Sequence, residues 1–272
     1  SSLFDLTGKS AIITGSSRGI GKAIAHRMAQ HGAKVVITSR KLDVCEKVST
    51  EINNEFGSDA SIAIACNISD KDQLKNLYAK SKEWCGNIST LVCNAAVNPY
   101  FGPSINTPDE AFEKIMKSNV QSNFWLCNEA LPDMTSMKSG SIIIISSIAG
   151  LQGTPVLGAY AISKAADSQL ARNIAVEYGM NNVRANCISP GLIKTDFARA
   201  LWENESILKA ATSHSALKRI GMPDEIAGAA VFLASEAGAF VTGQNLIING
   251  GEAPGLLSLI HISEPTRQWS IW

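Results

Sequence analysis

The chain predicts a doubly wound α/β domain: one seven-stranded parallel sheet flanked by helices. Three observations predict it. Short apolar runs alternate with longer stretches of helical period along most of the 272 residues. The runs are rich in Ile and Val without polar alternation, as strands buried on both faces are. Repeated strand–helix units need right-handed crossovers, which lay successive strands parallel in one sheet.

The elements follow in order. SAIITG (10–15) is the first strand. In IGKAIAHRMAQHGA, Ile20, Ile24 and Met28 share one helical face, and Gly32 ends that helix. KVVITSR (34–40) is the second strand, and KLDVCEKVSTEINNEFG is the helix after it. SIAIACNIS (61–69) is the third strand, followed by a helix over 70–85. STLVCNAA (89–96) is the fourth; a helix around 109–131 then leads to the fifth, GSIIIISS (140–147). A long helix over 158–179 precedes VRANCISPG (183–191), the sixth, and NLIING (245–250) is the seventh. No linker, internal repeat or low-complexity segment divides the chain, so residues 1–255 read as one domain. The tail differs: LSLIHISEPTR (257–267) resembles the translation of a transposon-end adaptor used in sequencing libraries, so 256–272 reads as non-native or disordered.

Composition narrows the function. Formal net charge is zero with 18% charged residues, without the basic excess of a nucleic-acid binder. No apolar run reaches the ~18 residues of a membrane span. SSLFDLTGKS has no basic segment followed by an apolar one, so it does not read as a secretory signal. Six cysteines (Cys45, Cys66, Cys85, Cys93, Cys127, Cys187) lack any C-x-x-C pair and read as buried thiols of a reducing, intracellular compartment. His26, His31, His214 and His261 show no ligand spacing, and no metal site is expected.

Two places carry chemistry. The first strand runs into TGSSRGIG (14–21), a glycine turn at a helix start, where free N–H groups and the helix dipole favour an anion. Gly15, Ser17, Arg18, Gly19, Ile20 and Gly21 are the candidates of this dinucleotide loop. An acid about 20 residues on would bond the ribose 2′-hydroxyl of NAD. Here the second strand ends in Ser39, Arg40 and Lys41, and Asp43 lies inside the next helix. An arginine can instead clamp a 2′-phosphate, so Arg18 and Arg40 point to NADP(H). The second place is SSIAGLQGTPVLGAYAISK. Tyr160 and Lys164 are spaced to share a helix face, and an ammonium beside a phenol lowers its pKa from ~10 towards neutral proton exchange. Ser147 ends a strand at the carboxyl edge, where ligands of open α/β sheets bind.

With these residues the chain, over roughly 5–252, resembles the short-chain dehydrogenases/reductases, whose domain is a Rossmann fold. TGSSRGIG stands for the family's TGxxxGIG and CNAA (93–96) for its NNAG. Asn119, Ser147 and YAISK stand for its catalytic set, ISPGLIKT (188–195) for its PG motif, and TGQNLIINGG for its C-terminal segment. The resemblance implies Tyr160 as general acid/base and Lys164 as holder of the nicotinamide ribose hydroxyls. It gives Ser147 the substrate oxygen, and Asn119 a water that links Lys164 to solvent. It also places Asn94 and Ala95 on the adenosine ribose, Asn67 and Ile68 by the adenine, Pro190 and Gly191 in the PG turn, and Ile193 and Thr195 on the carboxamide. CNAA, Asn67 and NGG (249–251) depart from the commoner NNAG, Asp and DGG.

The same resemblance implies a substrate lid at about 194–220. There Phe197, Leu201, Trp202, Ile207 and Leu208, with Leu151, Val156 and the NPYFG turn (98–102), would make an apolar wall. AAVNPYFG and PGLIKTDFARALW are similar to the NADP-dependent carbonyl/retinal reductases of the peroxisomal type. A 3-oxoacyl-carrier-protein reductase and a non-catalytic dinucleotide-binding regulator are the alternatives. The regulator has little need for Asn119, Ser147, Tyr160 and Lys164 together. A small-molecule carbonyl or alcohol partner and a homotetramer follow from the family, in the cytoplasm or, unreadable from a doubtful tail, the peroxisome.

Overall fold

A computed structural model describes residues 2–252; the tail reading lies outside the described residues. Seven parallel strands form the sheet in the order β3-β2-β1-β4-β5-β6-β7. They are β1 (Ser10–Thr14), β2 (Lys34–Ser39), β3 (Ser61–Ala65), β4 (Thr90–Cys93), β5 (Gly140–Ile145), β6 (Val183–Pro190) and β7 (Asn245–Ile248). Between β1 and β4 the winding reverses, which leaves a crevice at the carboxyl ends of these two strands.

The unalternating Ile/Val runs have their predicted cause: both sheet faces are covered. Ile13, Val35, Ile37, Val92, Ile143 and Ile188 pack into one layer with α1 (Gly19–Gln30), α2 (Leu42–Phe56) and a helix over Pro223–Ala234. Their neighbours Ile12, Val36, Leu91, Ile142, Ile144 and Cys187 pack into the opposite layer. That layer is built with α3 (Lys71–Cys85) and the helices Ser122–Met137 and Gly158–Tyr178.

Three differences from the sequence expectation matter for the site. The helix expected around 109–131 is α4 (Asp109–Ile115), a π-helical turn (Met116–Gln121) and α5 (Ser122–Met137). After α6 (Gly158–Tyr178), the segment expected to be a lid, about 194–220, contains α7 (Glu205–Thr212). The last helix, α8 (Pro223–Ala234), was not anticipated, because its run IAGAAVFLA is apolar nearly all round and has no helical stripe to read. It packs on α1 and buries Ile226, Ala227, Ala230, Val231 and Leu233.

The two ends of that segment meet. Ile193 pairs with Gly221 as a short parallel bridge, with Lys194 N donating to Gly221 O at 2.9 Å and Gly221 N donating to Leu192 O at 3.0 Å.

Candidate active site

Local chemistry shapes the crevice from β1 outward. Gly15 (φ +67°) and Gly19 (φ +56°) take left-handed conformations that turn the chain from β1 into α1. Gly21 is required for closeness: a Cβ there would lie 2.5 Å from Gly15 O and 2.6 Å from Asn94 Nδ2. Asn94 Nδ2 donates to Thr14 O at 2.9 Å, and the Asn94 and Ala95 N–H groups donate to Thr14 Oγ1 at 2.9 and 3.0 Å. These bonds tie the β4 end to the glycine turn across the winding reversal.

Arg18 and Arg40 stand beside this turn, both exposed. Asp196, at the start of the lid, lies 3.6 Å from the Arg18 guanidinium and also pairs with Arg199 at 2.7 Å. Asp196 was not singled out in the sequence. Its carboxyl is held below the usual range by the Arg199 hydrogen bond, with Arg18 adding to the effect.

At the other end Ser147 follows β5, and its Oγ accepts from Ala149 N at 3.1 Å. Tyr160 and Lys164 lie one turn apart on α6, with Lys164 Nζ 5.7 Å from the centre of the Tyr160 ring. Lys164 is buried; its ammonium donates to Ile145 O at 2.8 Å and to Asp167 Oδ2 at 3.0 Å. Burial alone would draw the Lys164 pKa down, but the Asp167 carboxylate and the Tyr160 phenol reverse this and leave it raised. Burial raises Asp167 in turn, and the bonds from Lys164 and Asn123 oppose that rise.

Asn119 sits in the π-helical turn, fully buried. Its Oδ1 accepts from Val97 N at 2.8 Å, and its Nδ2 donates to Val97 O at 3.0 Å and to Ser163 Oγ at 3.1 Å. Ser163 Oγ donates to Tyr160 O at 2.7 Å. Asn119 therefore fixes the strand end beside the crevice and the first turns of α6 at once.

One cleft of about 1490 Å³ runs from Arg40 to the lid. It is lined by Gly15, Ser17, Arg18, Gly19, Ile20, Ser39, Arg40, Asn67, Ile68, Asn94 and Ala95, and further along by Ser147, Tyr160, Lys164, Pro190, Gly191, Ile193 and Thr195. Two expected residues stand behind it: Gly21 under the turn and Asn119 beneath the wall. Phe101, Phe197, Leu201 and Ile207 line the mouth, and the Phe197 ring lies 6.0 Å from that of Tyr160. Trp202 is turned away, donating from Nε1 to Thr195 O at 2.8 Å, and anchors the lid instead.

Asp167 and Asn123 were missed too, although helical spacing could have flagged the first. Asp167 shares a face with Ala171 and Ile174, both buried, so an acid there had to find a partner inside. The six cysteines are free; burial pushes the Cys66 and Cys187 thiols up to about 12 each. Among the described residues no cluster of His, Cys, Asp or Glu has the makings of a metal site, and no helix is long and apolar enough to cross a membrane.

A family model described as enoyl-(acyl carrier protein) reductase matches residues 15–252. Dehydrogenase/reductase SDR family member 4 of Bos taurus is 38% identical over 246 residues, covering 90% of this chain and 88% of the relative. The mitochondrial SDR family member 2 of Homo sapiens is also 38% identical, covering 90% of this chain and 86% of the relative. Among solved structures, a 7α-hydroxysteroid dehydrogenase complexed with NADH and 7-oxoglycochenodeoxycholic acid superposes with a TM-score of 0.87 at 35% identity, over 93% of this chain and 98% of its own. A gluconate 5-dehydrogenase from Burkholderia cenocepacia with NADP and tartrate gives 0.86 at 28% identity, over 92% and 96%. The chain belongs to the short-chain dehydrogenase/reductase family. It is an oxidoreductase of a family that acts on CH–OH and C=O groups with a nicotinamide dinucleotide.

Proposed function

We propose that the protein is an NADP(H)-dependent carbonyl reductase for largely apolar ketones or secondary alcohols. The observation that carries the reading is one continuous cleft with Arg18 and Arg40 at one end and Ser147, Tyr160 and Lys164 at the other. The residues fit a nicotinamide dinucleotide. Gly15 and Gly19 line the cleft where α1 begins, a helix N-terminus suited to a pyrophosphate, and Asn94 with Ala95 lines the adjoining wall. The structural neighbours hold NADH in one case and NADP in the other. What favours NADP(H) here is two arginines beside the turn and no acid at the end of β2.

The family resemblance supplies the roles, and the lining of the cleft supports them. When bound, the nicotinamide supplies or accepts the hydride. Ser147 Oγ holds the substrate oxygen, and Tyr160 gives that oxygen its proton in reduction and removes it in oxidation. Lys164 orients the ribose and sets its charge beside the Tyr160 ring. Ile193 and Thr195 hold the carboxamide, Asn67 and Ile68 the adenine end, and Pro190 with Gly191 shapes the turn between them. Phe101, Phe197, Leu201 and Ile207 give the mouth its apolar wall.

The same proposal includes a homo-oligomer, a tetramer by family resemblance; Phe112, Phe124 and Ile162 are exposed on α4, α5 and α6. It also includes a reducing compartment, cytoplasmic or peroxisomal.

The test is oxidation of NADPH, then of NADH, against diketones, aromatic aldehydes, retinal and acetoacetyl thioesters. Turnover with apolar ketones and NADPH is expected. Tyr160→Phe should lower kcat by about 10²–10⁴-fold while NADPH binding stays within about twofold; undiminished turnover in that variant removes the assignment.

A further inference from the structure

Lys164 offers three N–H donors, and two are already taken inside the protein. Ile145 O accepts one at 2.8 Å and Asp167 Oδ2 another at 3.0 Å, which leaves a single donor for the cleft that Lys164 lines. Asp167 is fully buried, and its other oxygen, Oδ1, accepts from Asn123 Nδ2 at 3.0 Å. The same Asn123 amide donates to Asn119 O at 2.6 Å. A chain of side chains thus runs from Lys164 through Asp167 and Asn123 to the Asn119 carbonyl, where the family resemblance implies a water-mediated link.

We propose that Asp167 is a positioning residue for the reaction: held by Asn123, its carboxylate orients the Lys164 ammonium towards the cleft and balances its charge. The inference rests on the reductase reading of Tyr160 and Lys164. The other ionisable groups around Asp167 are thiols: Cys187 on β6, whose Sγ donates to Asp167 O at 3.4 Å, Cys93 on β4, and Cys127 on α5 beside Cys93. The Cys187 thiol is pushed up to about 12 by burial, and Cys93 is raised through its bond to Cys127 and by burial, so both stay neutral near pH 7. The next cation, Arg172, is engaged by Gln169 on the surface of α6. The pair Lys164–Asp167 is therefore the charged unit behind the Tyr160 ring, and its net charge is zero.

Without the carboxylate, the Lys164 ammonium loses its counter-ion and gives up its proton at lower pH. Asp167→Asn keeps the shape and removes the charge. Its pH profile of kcat is expected to move about one unit towards acid, with kcat lowered roughly tenfold at the best pH. Asn123→Ala keeps the charge and frees the carboxylate on one side. It should leave the midpoint in place and weaken NADPH binding, read by NADPH fluorescence, about threefold, a modest loss for an ammonium that is less well held.

A folded Asp167→Asn protein with the wild-type midpoint overturns the proposal. If Asp167→Asn gives no folded protein, Asn123→Ala decides: wild-type NADPH affinity and kcat reject it, and weakened binding supports it. Tyr160→Phe separates the two levels of inference. If that variant still turns over, or wild type is silent on the whole panel, the reductase reading fails and takes this one with it. If it is inactive while Asp167→Asn titrates as wild type, only the role of Asp167 fails.

Discussion

Arg18 and Arg40 stand in one cleft with different neighbours. Arg18 already faces Asp196, while Arg40 has no such acid among the described salt bridges. Exposed pairs such as Arg18–Asp196 contribute little, so a 2′-phosphate can draw Arg18 away at small cost. Arg40 is then the cleaner probe of cofactor choice. Arg40→Ala should raise the KM for NADPH by about 10–100-fold, the loss of a charge-assisted contact, and leave that for NADH within about twofold; steady-state kinetics with both cofactors checks it. Ser147, Tyr160 and Lys164 were legible because they lie within 18 residues of sequence and their types name their chemistry. Asp167, Asn123 and Asp196 were not, because each matters through a partner from another element. An acid on a helix says nothing of the lysine it neutralises until the side chains are placed.

At the level of elements, all seven strands were readable: burial on both faces leaves an Ile/Val signature in β1, β2 and β5, while the less buried β7 still kept a short apolar run. α8 was hidden by the opposite circumstance: buried against α1 and the sheet, it kept no polar stripe. Its start carries a device that only geometry reveals. Glu225 accepts from Met222 N at 2.8 Å and pairs with Arg219 at 2.6 Å, where the lid rejoins the domain. The Arg219 bond, then the Met222 N–H, hold the Glu225 pKa down from 4.5 to about 2. A lowered carboxylate stabilises the fold above 4.5 and loses that contribution as the pH falls towards 2. Glu225→Gln should therefore flatten the fall of melting temperature between pH 4.5 and about 2, with the two proteins converging at the acid end; melts across that range test it. The π-helical turn was equally unreadable, because helical spacing around 109–131 does not show that Asn119 sits in such a turn with its amide bonded to Val97.

Across the whole molecule, the proposed chemistry and selectivity occupy separate parts. The sheet, glycine turn and α6 carry the residues proposed to react, while the apolar mouth comes largely from the 194–220 segment and the NPYFG turn. The two lid ends meet in a ladder of two backbone hydrogen bonds at Leu192–Lys194 and Gly221, and a Cβ at Gly221 would come within 2.6 Å of Ile193 Cδ1. That clasp makes 194–220 a cassette. Two anchor points close together let its contents be exchanged without disturbing the sheet, and loop-closure entropy changes only slowly with length. Grafting the corresponding segment of another reductase between Ile193 and Gly221 should transplant preference among ketones while NADPH affinity stays within about threefold, readable as a reordered substrate panel at constant cofactor Kd. A lineage built this way can acquire new substrates by trading one surface segment, and its hydride chemistry never has to be reinvented.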